Sequence, residues 1–469
     1  MFLFQKKEYI IDKNFGKKVF PLVTDLTVGK PRRVLMKFTL PLLLSVIFQQ
    51  LYNIVDSIIA GHYIGVSALA AVGASYPITM IFMAIANGTN IGCSVVISQL
   101  FGGKRLTHMK TAVSTAILAS TALALFLTGL GLLLSPALLR AIDTPSEILA
   151  DAELYLNIYI GGLCFLFLYN IANGVFTALG DSKTPLIFLI FSSVGNIALD
   201  ILFVTQFHMG VAGVAWATFI AQGFASIAAL LVLIFRLQKI KSEKPKPISS
   251  KMLVRIARIA VPSILQQSFV SVGNVFIQGL INSYGATVVA AFAAAMKLNT
   301  FTITTLCALG NGLSSYTAQN IGAGNTARVK QGFHAGVVIA LCIAVPFFVL
   351  FFFFPAYSMQ IFVDEASAEV ITAGTAFLKI VAPFYFLITV KLVVDGILRG
   401  AGAMNAFMVA TFSDLILRVV FAFVLSPVFG EQGIWYSWPI GWTVASILSM
   451  IFYAAGVWKK HLPAPTTAN

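Results

Sequence analysis

The sequence predicts an all-α integral membrane protein of about twelve spanning helices, arranged as two homologous six-helix bundles. Three observations carry that prediction. Hydrophobic residues make up 58% of the 469 positions and charged residues only 10%, which is more apolar surface than a soluble core can hide. Apolar stretches recur between short polar breaks, each meeting the roughly 20 residues that a membrane helix requires. Landmarks that are not merely aliphatic then repeat in the same order about 220 positions apart.

The first half divides into spans near 34–62, 67–101, 107–136, 149–178, 183–206 and 210–238, and the second into 251–283, 287–321, 327–356, 366–399, 404–427 and 431–458. Pro41 opens the first span as Pro262 opens the seventh, and Asn53 falls on Asn274. In the second and eighth spans, Asn87-Gly88 followed by Gln99 corresponds to Asn311-Gly312 followed by Gln319. Gly174 to Gly180, closing the fourth span, falls on Gly396 to Gly402, closing the tenth. Gly210, Gly213 and Ala225-Ser226-Ile227 of the sixth match Gly430, Gly433 and Ala445-Ser446-Ile447 of the twelfth. Punctuating residues in a fixed order mark a duplication. Several spans exceed the minimum length, so tilted or kinked helices are expected. The resulting domains are a basic N-terminal segment (1–33), a first lobe (34–238), a linker (239–250), a second lobe (251–458) and a tail (459–469).

Orientation follows from the basic residues, which are retained on the cytoplasmic side of span ends. The N-terminal segment, alternate connections, the linker and the tail hold 26 of the 31 Lys and Arg residues, all on one face. The other loops have Arg140 alone beside Asp143, Glu147, Asp151, Glu153, Asp364, Glu365, Glu369 and Glu431. Both termini are therefore expected in the cytoplasm, which agrees with an even number of spans, and the repeats run parallel about an axis along the membrane normal. Topology and anionic lipid account for the net charge of +14, so nucleic acid is not an expected partner. The stretch before Val34 lacks an apolar segment with a cleavage site, and no removable signal peptide is evident. Cys93, Cys164, Cys307 and Cys342 lie in apolar spans at no metal spacing and read as packing residues with free thiols.

Charges that topology does not explain are where chemistry can reside. These are Lys297, Lys379, Lys391 and Arg418, with Asp56, Asp200, Asp395 and Asp414. An ionised group at depth costs roughly 2.5 to 3.5 kcal/mol on insertion scales, so each needs a partner, neutralisation or water. In the first lobe, Asp56, Asp200 and Thr218 share the outer leaflet by span position, and Asn196 lies four residues before Asp200 on the same helix face. No Lys or Arg of that lobe falls at this depth. Two carboxylates, an amide and a hydroxyl suit a proton or a small hard cation. The alternative is structural: Asp200 bonded within its bundle and Asp56 facing a watery vestibule.

The second lobe differs at these positions. Lys391 and Asp395 are four apart on the tenth span, and Asp414 and Arg418 four apart on the eleventh. Both spacings allow same-helix ion pairs, and substrate or proton handling is the competing role. Lys297 has no partner in sequence unless it meets Asp395 across helices. Gln266 and Gln267, following Pro262, are candidates for a polar lumen. Pro41 removes a backbone hydrogen bond below Asp56 and allows either a hinge or a static kink. The Phe residues, with Met80 and Met83, pack against lipid, between helices or around an adaptable cavity.

These residues carry a resemblance. Two six-span halves, the opening Pro41 … Gln49-Gln50-Leu51-Tyr52-Asn53-Ile54-Val55-Asp56, the connection Gly-Asp-Ser-Lys-Thr-Pro at 180 to 185 and Gly195-Asn196-Ile197-Ala198-Leu199-Asp200 resemble the multidrug and toxic compound extrusion (MATE) family. The similarity is to its bacterial branch of DinF-like and MepA-like exporters, and it covers roughly 30 to 458. It implies a V-shaped pair of bundles around a central cleft, exporting organic cations in exchange for Na⁺ or H⁺ from the bacterial inner membrane as a monomer without a cofactor. It also implies a first-lobe cation site at Asp56, Asn196, Asp200 and Thr218. A fourth-span Asn of the family matches Asn173, which by depth lies nearer the cytoplasm. The proline linked to helix bending in relatives matches Pro41. Where one branch has an acid early in the seventh span, this chain has Gln266 or Gln267, which argues against a second-lobe cation site of that kind.

Other classes fare less well. A lipid-linked oligosaccharide flippase of the same superfamily would share the duplication, but a cleft for pyrophosphate should be rich in Arg and Lys, and the first lobe has none at depth. An intramembrane enzyme lacks support, since neither H-E-x-x-H nor G-x-S-x-G occurs and the His residues are scattered. No G-x-x-x-x-G-K-[ST] occurs for a primary pump.

Overall fold

In the computed structural model, residues 24–63, 66–362 and 368–461 are described, except for the side chains of 54–63, 66–69, 460 and 461. The side chain of Asp56, the acids Asp364 and Glu365, the basic residues before Thr24 and most of the tail lie outside that description.

Lipid offers no hydrogen-bond partners, so a spanning backbone must satisfy itself within each segment. The described residues accordingly form helices and no strand. In chain order they are α1 (Pro31–Tyr63), α2 (Val66–Gly102), α3 (Leu106–Ala141), α4 (Ser146–Gly161), α5 (Leu163–Ala178), α6 (Lys183–Ile201) and α7 (Gly210–Lys239). The second half gives α8 (Ser250–Asn282), α9 (Ala286–Gly322), α10 (Thr326–Phe353), the short α11 (Pro355–Gln360), α12 (Ala368–Val381), α13 (Tyr385–Ala401), α14 (Met404–Phe429) and α15 (Glu431–Ala454).

Ten of these helices are long and apolar enough to cross a membrane, α12 with α13 supplies an eleventh span, and α4 with α5 makes a twelfth, bent by 47°. The fourth span, read as one helix over 149–178, is therefore broken. The break falls at Gly162, which is packed under the ring of Phe219 from α7. The proline positions behave otherwise: α1 continues through Pro41 and α8 through Pro262. One turn on, the Ser45 hydroxyl donates to the Pro41 carbonyl at 2.8 Å.

The buried side chains form three clusters, and their distribution defines the shape. One cluster joins both halves at the end where the basic residues lie, from Leu35, Phe38, Val96 and Leu100 across to Ile256, Leu309, Leu313 and Val394. Toward the opposite end the core divides. One branch holds only first-half residues, such as Phe82, Leu156, Ile160 and Phe167. The other holds only second-half residues, including Phe292, Phe377, Trp435 and Trp438. Two lobes that share a core at one end and separate at the other make a V with its apex at the basic end.

Glycines allow the close approach at the apex. A Cβ on Gly92 of α2 would lie 2.7 Å from that of Ala260 on α8, and one on Gly88 would collide with Ile264. The linker after α7 is fastened to the first lobe: Lys110 Nζ donates to the Ile240 carbonyl at 2.7 Å, and the backbone amides of Lys246 and Ser249 donate to the hydroxyls of Thr111 and Thr115 at 3.1 and 3.0 Å.

Candidate functional site

In the first lobe, α6 carries a polar stripe on an otherwise apolar helix. Asn196 is 3% exposed and Asp200 is fully buried, one turn apart on the same face. The Tyr52 hydroxyl of α1 donates to Asn196 Oδ1 and so ties the first helix to α6 at this level. The buried Asn196 Nδ2 has no partner among the described residues. Tyr52 thus stands beside the expected Asn196 and Asp200, a contact the sequence motif does not reveal. Its signal was its position one turn before Asp56 on the same helix.

The remaining expected members lie on α7 and α5. Thr218 of α7 lines a small space with Tyr155, Tyr159, Phe219 and Gln222, at the interface with α4. Asn173 lies five residues from the basic end of α5, whereas Asn196 lies thirteen into α6 from that same end. At 1.5 Å per residue that places Asn173 about 12 Å nearer the basic end. The Tyr169 hydroxyl stands beside Asn173 and Ser192, one turn below Asn196. Asn173 thus belongs to the lower end of the stripe, separate from the Asn196 and Asp200 level.

The second lobe contains the two ion pairs that its spacings allow. Lys391 Nζ lies 2.5 Å from Asp395 Oδ2, with both residues 3% exposed, and the Ser449 hydroxyl donates to Asp395 Oδ1 at 3.0 Å. Arg418 Nη2 lies 2.8 Å from Asp414 Oδ2, its guanidinium over the Trp438 ring. Lys297 departs from expectation. It is exposed, with Nζ over the Phe362 ring at 5.3 Å, while Asp395 is held by Lys391. The i to i+4 partner on the same helix was available at lower cost than a contact across helices. Lys379 is likewise exposed, and Gln266 and Gln267 are half-buried on α8.

A fourth buried acid lies in the 180–185 connection, where the sequence assigns it no role. Asp181, fully buried, pairs with Arg236 of α7 and accepts the backbone amides of Lys183 and Thr184 at 3.1 and 3.0 Å, capping α6. Its place in the turn before a helix was the available signal. Among the described residues no group of His, Cys, Asp or Glu has metal-site geometry.

The MatE family model matches twice, over residues 41–202 and 262–424. The chain belongs to the MATE family. Each half accounts for one match, which fits the duplicated landmarks. Among relatives of the MATE chain is the probable multidrug resistance protein YpnP of Bacillus subtilis (strain 168), 32% identical over 436 residues, covering 93% of this chain and 97% of that one. The probable multidrug resistance protein NorM of Thermotoga maritima is 23% identical over 92% of this chain and 94% of its own. A solved outward-facing multidrug resistance MATE family transporter of the MOP superfamily superposes with a TM-score of 0.86 at 23% identity, covering 93% of this chain and 98% of that one, and so shares the fold. The MATE chain is accordingly a multi-pass bacterial membrane transporter for small molecules.

Proposed function

We propose that this transporter is a secondary antiporter, exporting lipophilic organic cations in exchange for H⁺ or Na⁺. The observation that carries the reading is the buried Asn196 and Asp200 stripe, tied to α1 through Tyr52 within one arm of the V. Asp56 follows Tyr52 by four residues as Asp200 follows Asn196, and the two helices run in the same direction from the basic end. On that register the first-lobe ion site comprises Asp56, Asn196 and Asp200, with Thr218 and Asn173 as flanking polar groups.

Two carboxyl groups in an apolar setting can take up a proton, and their oxygens suit a hard cation. Ion binding from the open side favours the splayed state and release of drug. Ion departure to the cytoplasm favours reloading. Coupling is the difference in ion and drug affinity between the two states. The moving parts are the lobes 34–238 and 251–458, joined by the linker 239–250, with Pro41 as a hinge in α1. The basic end faces the cytoplasm, by the retention of Lys and Arg there. The Lys391–Asp395 and Asp414–Arg418 pairs neutralise one another and hold the second lobe as a scaffold, with proton or substrate handling as the role to be tested against it.

Efflux in membrane vesicles under an imposed pH gradient, and then under an imposed Na⁺ gradient, identifies the ion. Asp56→Asn and Asp200→Asn should each abolish gradient-driven efflux. Coupled efflux that survives intact in both variants removes the proposed site.

A further inference from the structure

At the apex, Gln99 at the end of α2 and Gln319 at the end of α9 occupy equivalent positions in the two halves and make equivalent bonds to the opposite lobe. Gln99 Nε2 donates to the carbonyl of Gly400 at the end of α13, at 3.0 Å. Gln319 Nε2 donates to the carbonyl of Ala178 at the end of α5, at 2.8 Å. Both acceptors belong to the last turn of a helix, where carbonyls lack intrahelical partners. Each glutamine therefore supplies a donor to a helix-end carbonyl of the other half, that of Ala178 also taking the Ser98 hydroxyl of its own lobe at 3.4 Å.

The side-chain oxygens are held as well. Arg255 Nη2 donates to Gln99 Oε1 at 2.6 Å, and the backbone amide of Leu26 donates to Gln319 Oε1 at 3.1 Å. Leu26 is fully buried, its carbonyl accepting from Asn320 and Arg328 of the second lobe at 3.2 Å each, while the Thr24 amide donates to the Gly180 carbonyl of the first lobe at 3.2 Å. The backbones around the pair are pressed together. A methyl group on Gly102 would collide with the Gln319 carbonyl, and one on Gly322 with the Gln99 carbonyl.

The geometry points to Gln99 and Gln319 as positioning residues for the transport cycle, a two-fold-related clasp that holds the cytoplasmic gate shut and must be undone for the lobes to part there. This inference rests on the rocking-lobe reading with the basic end inside. A cross-lobe bond formed in one state and lost in the other shifts the balance between states by its full contribution. The network explains why a helix that could end in any polar residue ends in glutamine twice. Only a side chain carrying both a donor and an acceptor bridges a carbonyl on one lobe and a donor such as Arg255 or Leu26.

Thr39 serves as the reporter. It is fully buried and packs against Gly312 across the lobe boundary, so Thr39→Cys reacts with a membrane-impermeant maleimide only when the lobes separate at this end. It would be placed in a background with Cys93, Cys164, Cys307 and Cys342 replaced by alanine. Interhelical hydrogen bonds in membranes change an equilibrium by about threefold each. Gln99→Met and Gln319→Met, which retain length and lose the bonds, should each raise labelling from the cytoplasmic side about threefold, and together by roughly the product. The corresponding alanine variants should follow. Wild-type labelling rates in the double methionine variant, eluting as a single monodisperse species, would overturn the clasp. A rise seen only with reagent on the opposite side would support the clasp and overturn the orientation on which the antiport reading relies.

Discussion

The Tyr52 hydroxyl on α1 donates to the side-chain oxygen of Asn196 on α6, joining the first and fifth spans at the level of the buried acid Asp200. The contact fixes which face of α1 meets α6. It also occupies one lone pair of the Asn196 oxygen and so orients the amide, leaving the second lone pair for an ion or water.

Tyr52→Phe should weaken ion binding while leaving the site assembled. A hydrogen bond of this kind contributes about 0.5 to 1.5 kcal/mol. The ion concentration for half-maximal efflux should rise roughly twofold to tenfold with the maximal rate retained. Ion titration of efflux in vesicles measures both, and a lowered maximal rate at unchanged half-saturation would contradict a role in holding Asn196.

The Lys391–Asp395 pair invites a double-mutant cycle. Both groups are buried, so removing one leaves the other as an uncompensated charge, at a cost of about 3 to 5 kcal/mol, whereas removing both does not. Lys391→Met and Asp395→Asn should each lower the thermal midpoint in detergent well below that of the double variant. If the double variant instead retains full stability and loses coupling, the pair handles protons or substrate in addition to holding the lobe.

A parallel expectation applies to Asp181. Arg236 supplies its charge partner, and Arg236 Nη2 also donates to the Thr184 hydroxyl at 2.9 Å. Arg236→Gln should destabilise the protein by a few kcal/mol, because two backbone amides and the Thr184 hydroxyl remain to satisfy the carboxylate but none carries a charge. Asp181→Asn should be milder, since an amide oxygen still caps α6. The order of the two thermal midpoints checks the assignment.

The spans and the duplication were legible because lipid imposes a length and an apolar composition on every helix, and because Pro, Asn, Gln and Gly punctuate both halves alike. Same-helix relations were legible for the same reason: the spacings of Lys391 with Asp395 and Asp414 with Arg418 already imply adjacency. Relations between helices were not. Nothing in the spacing of Tyr52 shows that it reaches Asn196, and nothing in the position of Lys297 shows that it turns to Phe362. The same limit applied to Gln99 and Gln319, which stood out as repeat landmarks without a visible reason. Their reason is a pseudo-two-fold contact that exists only once the halves meet.

The close backbone approach at Gly102 and Gly322 leads to the final expectation. An added Cβ at either position meets a carbonyl oxygen, which cannot move aside as the tip of a flexible side chain can. Gly102→Ala and Gly322→Ala should therefore push the apex apart and raise cytoplasmic labelling of Thr39→Cys, even though alanine is the better helix former by up to about 1 kcal/mol. Gly129 of α3 provides the control, since nothing lies within 4 Å of a Cβ added there. Gly129→Ala should leave labelling unchanged and the thermal midpoint equal or slightly raised. Equal behaviour of all three alanine variants would mean that the lobes do not close through these glycines, because helix propensity alone then accounts for every effect observed.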